Sequence, residues 1–161
     1  QGILPFHALN DVVVGRGTVS RLVTVKASIG AAHLVTYRAD AVIVSTATGS
    51  TGYNLSVGGP ILYPKSKEMV LNSVAPHVGL TSALVIPPAD LIELTIESDQ
   101  SVLSVDAYMN VPLEPGSKVT VKSSSRVARF LRAQPPSYFY SSLTRRMSMG
   151  ETRQASRALP S

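Results

Sequence analysis

The chain is a succession of short apolar runs, each roughly four to seven residues long and rich in Val, Ile, Leu and Thr. Turn-forming residues separate these runs, among them Pro87-Pro88 and Ser98-Asp99. Short strands repeated at this spacing predict a mainly β fold of two packed sheets, similar to a sandwich, rather than alternating βαβ units. The predicted strands are 12–14, 22–26, 34–37, 41–44, 83–86, 91–96, 102–105, 119–121 and 127–131.

Three further segments carry local signals. Glu114-Pro115-Gly116-Ser117 has the Pro and Gly positions of a type II turn, which we expect to join two antiparallel strands. Hydroxyl residues precede Thr51–Val57 as candidate N-caps and predict a short helix there. We expect a second short helix over 138–147.

Length and composition favour one globular domain. The chain has 161 residues, of which 44% are hydrophobic and 16% are charged, and it has no cysteine. These values exclude a disulfide scaffold, a thiolate metal site and a cysteine nucleophile. No apolar run is long enough to span a bilayer, and the first residues do not resemble a signal peptide. We expect a domain over residues 1–149, a polar, disordered tail over 150–161, and a cytoplasmic chain that begins in mid-protein.

The positive charge is concentrated at one end. The net charge is +5, and residues 126–161 contain seven arginines and one glutamate. A basic tail attracts phosphate or nucleic acid, but it is more often a solvated tail. Because no groove-filling helix or zinc frame accompanies the arginines, we expect no nucleic acid as a partner. We expect no membrane partner either, because no apolar run is long enough to span a bilayer.

The segment Tyr37–Pro60 is the most informative. The apolar run 41–44 leads into a loop that holds many hydroxyl side chains, four glycines and the aromatic Tyr53. Hydroxyls and bare amides bond sugar hydroxyls or ring nitrogens, and an aromatic ring stacks on a base, so the composition suits a nucleotide site. The alternative is a strand, an ordinary turn and a capped helix, and composition does not decide between them.

The order of the residues favours the nucleotide site. Tyr37-Arg38-Ala39-Asp40, the run Val44–Ser56 and Gly58-Gly59-Pro60 resemble the central signature of NAD kinases. Asn10-Asp11 resembles the Asn-Glu/Asp motif of that family, Pro76-His77 its Pro-His step, and Val105-Asp106 its Asp-Gly step. Order and spacing agree from about residue 8 to residue 147. Ala41 and Ala107 stand where the family usually has Gly, which matters if either residue needs a positive φ.

The resemblance implies a role for each matching residue. Asn10 and Asp11 are expected to bind the adenosine part of NAD, with Asp11 on ribose hydroxyls. Thr48 and Thr51 are expected at the adenine edge, and Tyr53 against the dinucleotide. Asp40, the Gly52 backbone and Ser56 are expected at the nicotinamide amide, with Asp40 acting across a subunit interface. Arg38 and His77 are candidates for that interface and for phosphate or ATP contact.

Most of these residues also have an ordinary structural interpretation. Asn10-Asp11 caps a turn, Asp40 pairs with Arg38 on the surface, and Tyr53 belongs to the core. By the same reasoning His77 is a loop residue and Asp106 forms a turn.

The resemblance also implies what the chain lacks. NAD kinases transfer a phosphoryl group from ATP or polyphosphate, with Mg²⁺, to the 2′-hydroxyl of the adenosine ribose and form NADP. In the family, an amino-terminal ATP-binding domain supplies a Gly-Gly-Asp-Gly loop with the presumed base. This chain contains no Gly-Gly-Asp-Gly, so we expect no catalytic residue and no metal ligand in it, and no activity from it alone.

Two other functions remain open at this stage. One is a non-catalytic dinucleotide-binding or oligomerisation module, and the other is a domain of the related lipid kinases, the diacylglycerol and sphingosine kinases. The Thr48–Tyr53 loop argues against the lipid kinases. If the resemblance holds, the partners are NAD or NADP, the amino-terminal domain, and further copies of the chain in a homodimer or homotetramer.

Overall fold

The structure is a computed structural model and describes residues 5–18, 21–131, 133–143 and 145. Ten strands form most of it, and a 3-10 helix (Gly49–Thr51) and one turn of α-helix, α1 (Tyr53–Ser56), follow the fourth strand. The strands are β1 (Asp11–Arg16), β2 (Val23–Ile29), β3 (Ala32–Ala39), β4 (Ala41–Ser45), β5 (Met69–Val74), β6 (Leu84–Ile86), β7 (Ile92–Ile96), β8 (Ser101–Val105), β9 (Met109–Leu113) and β10 (Lys118–Val121).

The strands form two antiparallel sheets. The six-stranded sheet has the order β6-β5-β4-β1-β8-β9, and the four-stranded sheet has the order β10-β7-β2-β3. In the larger sheet β1 pairs with β4 on one side and β8 on the other, so that Asp11 lies opposite Ser45 and Val12 opposite Val105. This architecture confirms the predicted fold of two β-sheets with few short helices.

The two sheets share one apolar core. Val14 of β1 and Val42 of β4 on the larger sheet belong to the same buried cluster as Val25 of β2 and Leu94 of β7 on the smaller sheet. Strand β7 alternates buried and half-buried residues, as predicted for a strand with one wet face. Strand β4 is buried at all five residues, because its second face is covered as well.

Residues 46–68 cover that second face. Ile43 and Asn72 are cross-strand partners on it, and the Asn72 side chain bonds the side chain of Asn54 on α1. The connection after β4 therefore folds back over the sheet from which it emerges. The segment that carries the site is packed against the sheet rather than extended into solvent.

Three predictions about strands were wrong. β5 was missed because Asn72 and Ser73 interrupt its apolar pattern, although both residues are buried. β9 was missed because it contains Pro112, which is tolerated because β9 is an edge strand of its sheet. Residues 127–131 form no strand, and their apolar side chains Val127, Phe130 and Leu131 are exposed.

The predicted turn is present, but its neighbours differ from the expectation. Ser117 N–H donates to the Glu114 carbonyl at 3.0 Å, and Gly116 has φ +86°, as a type II turn requires. The turn connects β9 to β10, which belong to different sheets, so it does not close a hairpin. The predicted helix after Thr51 is also present, but its N-cap is Gly52 and no hydroxyl side chain caps it.

The chain divides into two compact units, Gln1–Val127 and Ala128–Ser161. The second unit, in its described part, contains a helical segment over 138–143, which agrees with the start of the predicted second helix. The Phe139 and Tyr140 rings pack edge to face in it, with centroids 5.2 Å apart. The predicted tail, 150–161, lies outside the described residues. None of the helices in the described part is long and apolar enough to cross a membrane.

Candidate functional site

A cleft of about 450 Å³ opens at the end of the larger sheet where β1 begins and β4 ends. Three separate chain segments line it: the start of β1, the loop after β4, and the turn between β8 and β9. The lining residues are Asn10, Asp11, Thr48, Thr51, Gly52, Tyr53, Asp106 and Ala107. Six of the ten residues predicted for the site therefore lie around one cleft.

The loop after β4, residues 46–60, is referred to below as the signature loop. Its hydroxyl groups hold its own backbone: Thr46 Oγ1 accepts from Gly49 N–H at 3.2 Å, and Ser50 Oγ donates to the Ala47 carbonyl at 2.7 Å. Ser50 Oγ also accepts from Leu62 N–H at 3.0 Å. Thr46 and Ser50 thus stabilise the loop. The hydroxyl residues of the loop that line the cleft are Thr48 and Thr51.

The signature loop is joined to the start of β1. Thr46 N–H donates to the Asn10 carbonyl at 2.9 Å, and Thr46 Oγ1 donates to the Leu9 carbonyl at 2.6 Å. A β-carbon on Gly49 would overlap the Asn10 carbonyl group. Glycine at residue 49 thus permits the close approach that brings Asn10 and Asp11 to the same cleft as Thr48 and Thr51.

Asn54 fixes the far part of the loop. It is fully buried, and its Nδ2 donates to the Ser50 carbonyl at 3.2 Å and to the Pro60 carbonyl at 3.0 Å. Its Oδ1 accepts from Asn72 Nδ2 at 3.1 Å. A β-carbon on Gly59 would overlap the Asn54 amide. Asn54 therefore has a structural role, and its burial is incompatible with the glycosylation that the sequence Asn54-Leu55-Ser56 would otherwise allow.

Asp11 is the most buried acid of the cleft, with 8% of its surface exposed. Burial raises the pKa of its carboxyl group above the ordinary value, and the nearby charge of Asp106 raises it further. Among the described residues no side chain donates a hydrogen bond to the Asp11 carboxylate. An acceptor without a partner at the wall of a cleft is suited to binding hydroxyl groups of a ligand.

The four residues on the signature-loop side of the cleft, Thr48, Thr51, Gly52 and Tyr53, are more exposed. Tyr53 is 43% exposed, which contradicts its alternative interpretation as a core residue and leaves the ring face open for stacking. Thr51 Oγ1 makes a long bond of 3.3 Å to the Thr48 carbonyl. The Gly52 N–H is occupied by the Gly49 carbonyl at 2.9 Å, and its carbonyl accepts from Leu55 N–H at 3.1 Å.

The remaining four predicted residues do not line this cleft. Ser56 lies one turn beyond Gly52 on α1, and its Oγ makes a 3.4 Å bond to the Gly52 carbonyl. Asp40 lies at the opposite end of β4, roughly 17 Å from Ser45 at about 3.4 Å per residue. It forms an ion pair of 3.0 Å with Arg16, not with Arg38 as the alternative interpretation proposed.

Arg38 and His77 lie near that opposite end as well. The His77 N–H donates to the Arg38 carbonyl at 2.8 Å, so the two residues are neighbours through their backbones. Arg38 lines a second cleft of about 490 Å³ with Arg21, Glu97 and Asp99 among its other residues. Three of the predicted residues, Arg38, Asp40 and His77, thus lie near the end of β4 that is opposite the cleft.

Two residues of the cleft, Asp106 and Ala107, had no predicted role in binding. They form the turn between β8 and β9, with φ values of +49° and +60°. The resemblance of Val105-Asp106 to a family motif was the available signal, and a strand end is where such a residue would enter a site. Of the two Ala residues that replace a family Gly, Ala107 has a positive φ, whereas Ala41 is an ordinary residue of β4.

Acidic residues of the described part do not form a metal site. Among residues 5–18, 21–131, 133–143 and 145, no three His, Cys, Asp or Glu side chains lie together in a way that could hold a metal ion. In the cleft itself, Asp106 uses both carboxylate oxygens on backbone N–H groups. The chemistry that the cleft offers is hydrogen bonding and stacking.

Known proteins resemble this chain over most of its length. The family model of the ATP-NAD kinase C-terminal domain matches residues 9–133. An NAD kinase of Dehalococcoides mccartyi is 39% identical over 139 residues, which cover 86% of this chain and 49% of that protein. An NAD kinase of Chloroflexus aggregans is 40% identical over 141 residues, which cover 87% of this chain and 51% of that protein. The chain spans about half the length of these relatives.

Solved structures agree with this result. An NAD kinase from Archaeoglobus fulgidus in complex with ATP superposes with a TM-score of 0.67 at 25% identity, over 73% of this chain and 46% of that one. A yeast NADH kinase complexed with NADH superposes with a TM-score of 0.66 at 32% identity, over 72% of this chain and 34% of that one. On the match to residues 9–133, the chain belongs to the ATP-NAD kinase C-terminal domain family.

Proposed function

We propose that the protein of which this chain is a part is an NAD kinase, and that this chain supplies its dinucleotide site. The reaction is transfer of the γ-phosphoryl group of ATP, or of a polyphosphate phosphoryl group, to the 2′-hydroxyl of the adenosine ribose of NAD, which gives NADP. Family membership supports the reaction, and the relatives that this chain covers by half are named NAD kinases.

The observation that carries the proposal is the cleft in which Asn10, Asp11, Thr48 and Tyr53 meet. An ionised Asp11 can accept hydrogen bonds from two ribose hydroxyls at once, and its carboxylate has no competing donor among the described residues. We assign the hydroxyls of Thr48 and Thr51 to the adenine edge. We assign the exposed ring of Tyr53 to packing against the dinucleotide.

Asp11 has a consequence for catalysis as well as for binding. A carboxylate that holds the adenosine ribose fixes the position and the orientation of the hydroxyl that is to be phosphorylated, which lowers the entropic part of the barrier. The structural neighbour complexed with NADH is consistent with a dinucleotide in this domain. Asp11 acts here as a binding residue, and the base for the attacking hydroxyl comes from outside this chain.

The nicotinamide end of NAD is proposed to bind near Gly52 and Ser56 of one copy and Asp40 of a second copy. Asp40 lies at the opposite end of β4 from the cleft, so it does not share the cleft of its own copy. Arg38 and His77 belong to the same end and are proposed to contact phosphate or the neighbouring copy. The assembly proposed is therefore a homodimer or a homotetramer that acts in the cytoplasm.

The phosphate donor is proposed to bind outside this chain. The sequence contains no Gly-Gly-Asp-Gly, and we assign ATP or polyphosphate, with Mg²⁺, to the amino-terminal domain of the longer protein. The structural neighbour from Archaeoglobus fulgidus contains ATP in a chain of which this one covers 46%. The isolated 161-residue chain is proposed to be inactive.

The test compares the full-length protein with this chain in an assay of NADP formation from NAD⁺, ATP and Mg²⁺. The full-length protein is expected to form NADP, and the 161-residue chain is expected to form none. NADP formation by the chain alone would disprove the assignment of the donor site. If the full-length protein binds NAD⁺ but forms no NADP with either ATP or polyphosphate, the non-catalytic module is favoured. If it phosphorylates a diacylglycerol or sphingosine instead, a lipid kinase is favoured.

A further inference from the structure

Asp106 is tied to the start of β1 by four hydrogen bonds across a separation of about 95 residues in sequence. Its Oδ2 accepts from Leu9 N–H at 2.7 Å, and its Oδ1 accepts from Asn10 N–H at 2.7 Å and from Asp11 N–H at 3.0 Å. Its own N–H donates to the Asp11 carbonyl at 3.0 Å. Both carboxylate oxygens are thus occupied by the backbone of residues 9–11.

The bonds from Asp106 continue the hydrogen bonding of β1 beyond the point where its pairing with β8 ends. The pairing of β1 with β8 stops at Val12 and Val105, so the N–H groups of Asn10 and Asp11 have no strand carbonyl to bond. The turn between β8 and β9 has positive φ values at Asp106 and Ala107, and the Asp106 N–H bonds the Asp11 carbonyl, so Asp106 lies beside the start of β1. The Asp106 carboxylate then takes the part of the missing strand carbonyls, and bonds to a charged acceptor are stronger than neutral ones.

Residues 9–11 are held from the other side by Thr46. Its N–H and Oγ1 bond the carbonyls of Asn10 and Leu9, whereas Asp106 bonds the N–H groups. With its N–H and carbonyl groups both engaged, the segment has little freedom to rotate. The direction of the Asp11 side chain into the cleft follows from the position of its backbone.

We propose that Asp106 is a positioning residue of the dinucleotide site, which holds the backbone of Leu9, Asn10 and Asp11 so that the Asp11 carboxylate faces the ribose. The inference rests on the proposed function, because the ribose enters through it. Asp106 needs no contact with the substrate for this role, since both of its oxygens are already used. Loss of Asp106 is expected to weaken NAD binding only because the Asp11 carboxylate is no longer held toward the ribose.

The test measures steady-state kinetics of the full-length protein and its Asp106→Asn variant. The amide keeps one acceptor but turns an N–H group toward one of the backbone N–H groups, so the KM for NAD⁺ is expected to rise roughly tenfold while the KM for ATP stays unchanged. Glu93→Gln is the matched control, because Glu93 bonds Lys118 at 3.0 Å on the other sheet. That variant is expected to keep both KM values.

A double-mutant cycle separates positioning from a merely structural role. If Asp106 acts through Asp11, adding Asp106→Asn to Asp11→Asn causes little further loss of NAD⁺ affinity, whereas independent effects multiply. If Asp106→Asn does not fold, Asp106→Glu replaces it, because one added methylene displaces the three bonds while the charge stays. A wild-type KM for NAD⁺ in the variant that folds, or multiplying effects in the cycle, overturns the proposal. A wild-type protein that forms no NADP refutes the proposed function instead.

Discussion

Gly49 lies so close to the backbone of Asn10 that a β-carbon at residue 49 would overlap the Asn10 carbonyl group. The contact brings the signature loop against the start of β1, two segments that are about 40 residues apart in sequence. Gly49 does not have a positive φ. Residue 49 therefore has to be glycine because a side chain does not fit there, not because of its backbone conformation.

Gly49→Ala is expected to separate the two segments. Overpacking against backbone atoms costs about 1–3 kcal/mol of the free energy of unfolding, and the NAD⁺ affinity is expected to fall with it. Gly15→Ala is the matched control, because a β-carbon there meets Ala41 Cβ at 3.7 Å and the Asp40 carbonyl at 3.9 Å, which are ordinary contacts, and its φ is not positive. Urea unfolding of both variants measures the difference, and equal losses of stability would contradict the role given to Gly49.

The sequence predicted the architecture better than the individual strands. The apolar runs predicted two packed sheets because alternation and strand length are local properties. They missed β5, because its polar residues Asn72 and Ser73 interrupt the apolar pattern. In the fold, Asn72 bonds the Asn54 side chain and Ser73 Oγ donates to the Leu80 carbonyl, and a local pattern does not predict such contacts. They wrongly predicted a strand over 127–131, because an apolar run does not itself supply a pairing partner.

The residues proposed for the site were chosen by motif order, not by local chemistry. Asp11, Thr48 and Tyr53 line one cleft as the resemblance implied they would share a ligand. Asp106 matched a family motif but was given no role in binding, because its three bonds to residues 9–11 depend on the tertiary fold. The partner of Asp40 was also unpredictable from its neighbours, since Arg16 comes from β1.

Ala107 is expected to be strained, and its replacement tests this. With φ +60°, it adopts a conformation that glycine tolerates better than alanine, so Ala107→Gly is expected to raise the free energy of unfolding by up to about 1 kcal/mol. Ala41→Gly is the control, because Ala41 is a buried residue of β4 without a positive φ. It is expected to destabilise by about 1 kcal/mol. Thermal unfolding of the two variants should shift in opposite directions, and shifts of the same sign would count against this explanation.

Asp11→Asn is expected to stabilise the fold at neutral pH while it weakens NAD⁺ binding. The pKa of Asp11 is raised by burial and by Asp106, so the ionised carboxylate opposes folding. Below 3.8, the pKa of the carboxyl group in the unfolded chain, Asp11 is neutral in both states and the folded state has its full stability. As pH rises through the raised pKa of the folded state, that stability is lost. Chemical unfolding at pH 7 should favour the variant, and the advantage should shrink as the pH falls through the raised pKa toward values below 3.8. A variant less stable than the wild type at pH 7 would contradict the assignment.

Asp40→Asn tests the proposed contact between copies. The ion pair with Arg16 is partly exposed, so its loss should change stability by less than about 1 kcal/mol. If Asp40 serves the cleft of a second copy, full-length Asp11→Asn and Asp40→Asn proteins are each impaired, and exchange of subunits between them restores a site with both carboxylates. NADP formation by the mixture, compared with each variant alone, measures this. A mixture no more active than the average of its components would show that both residues serve one copy.

The most direct test of the dinucleotide site is calorimetric titration of the 161-residue chain with NAD⁺, for the wild type and for an Asp11→Ala, Tyr53→Ala double variant. The account predicts saturable binding by the wild type and none by the double variant. Saturable binding of equal affinity by both would contradict the placement of the site in this cleft. If neither binds, the same titration of the full-length protein decides, and a full-length wild type that does not bind NAD⁺ would contradict the proposed function itself.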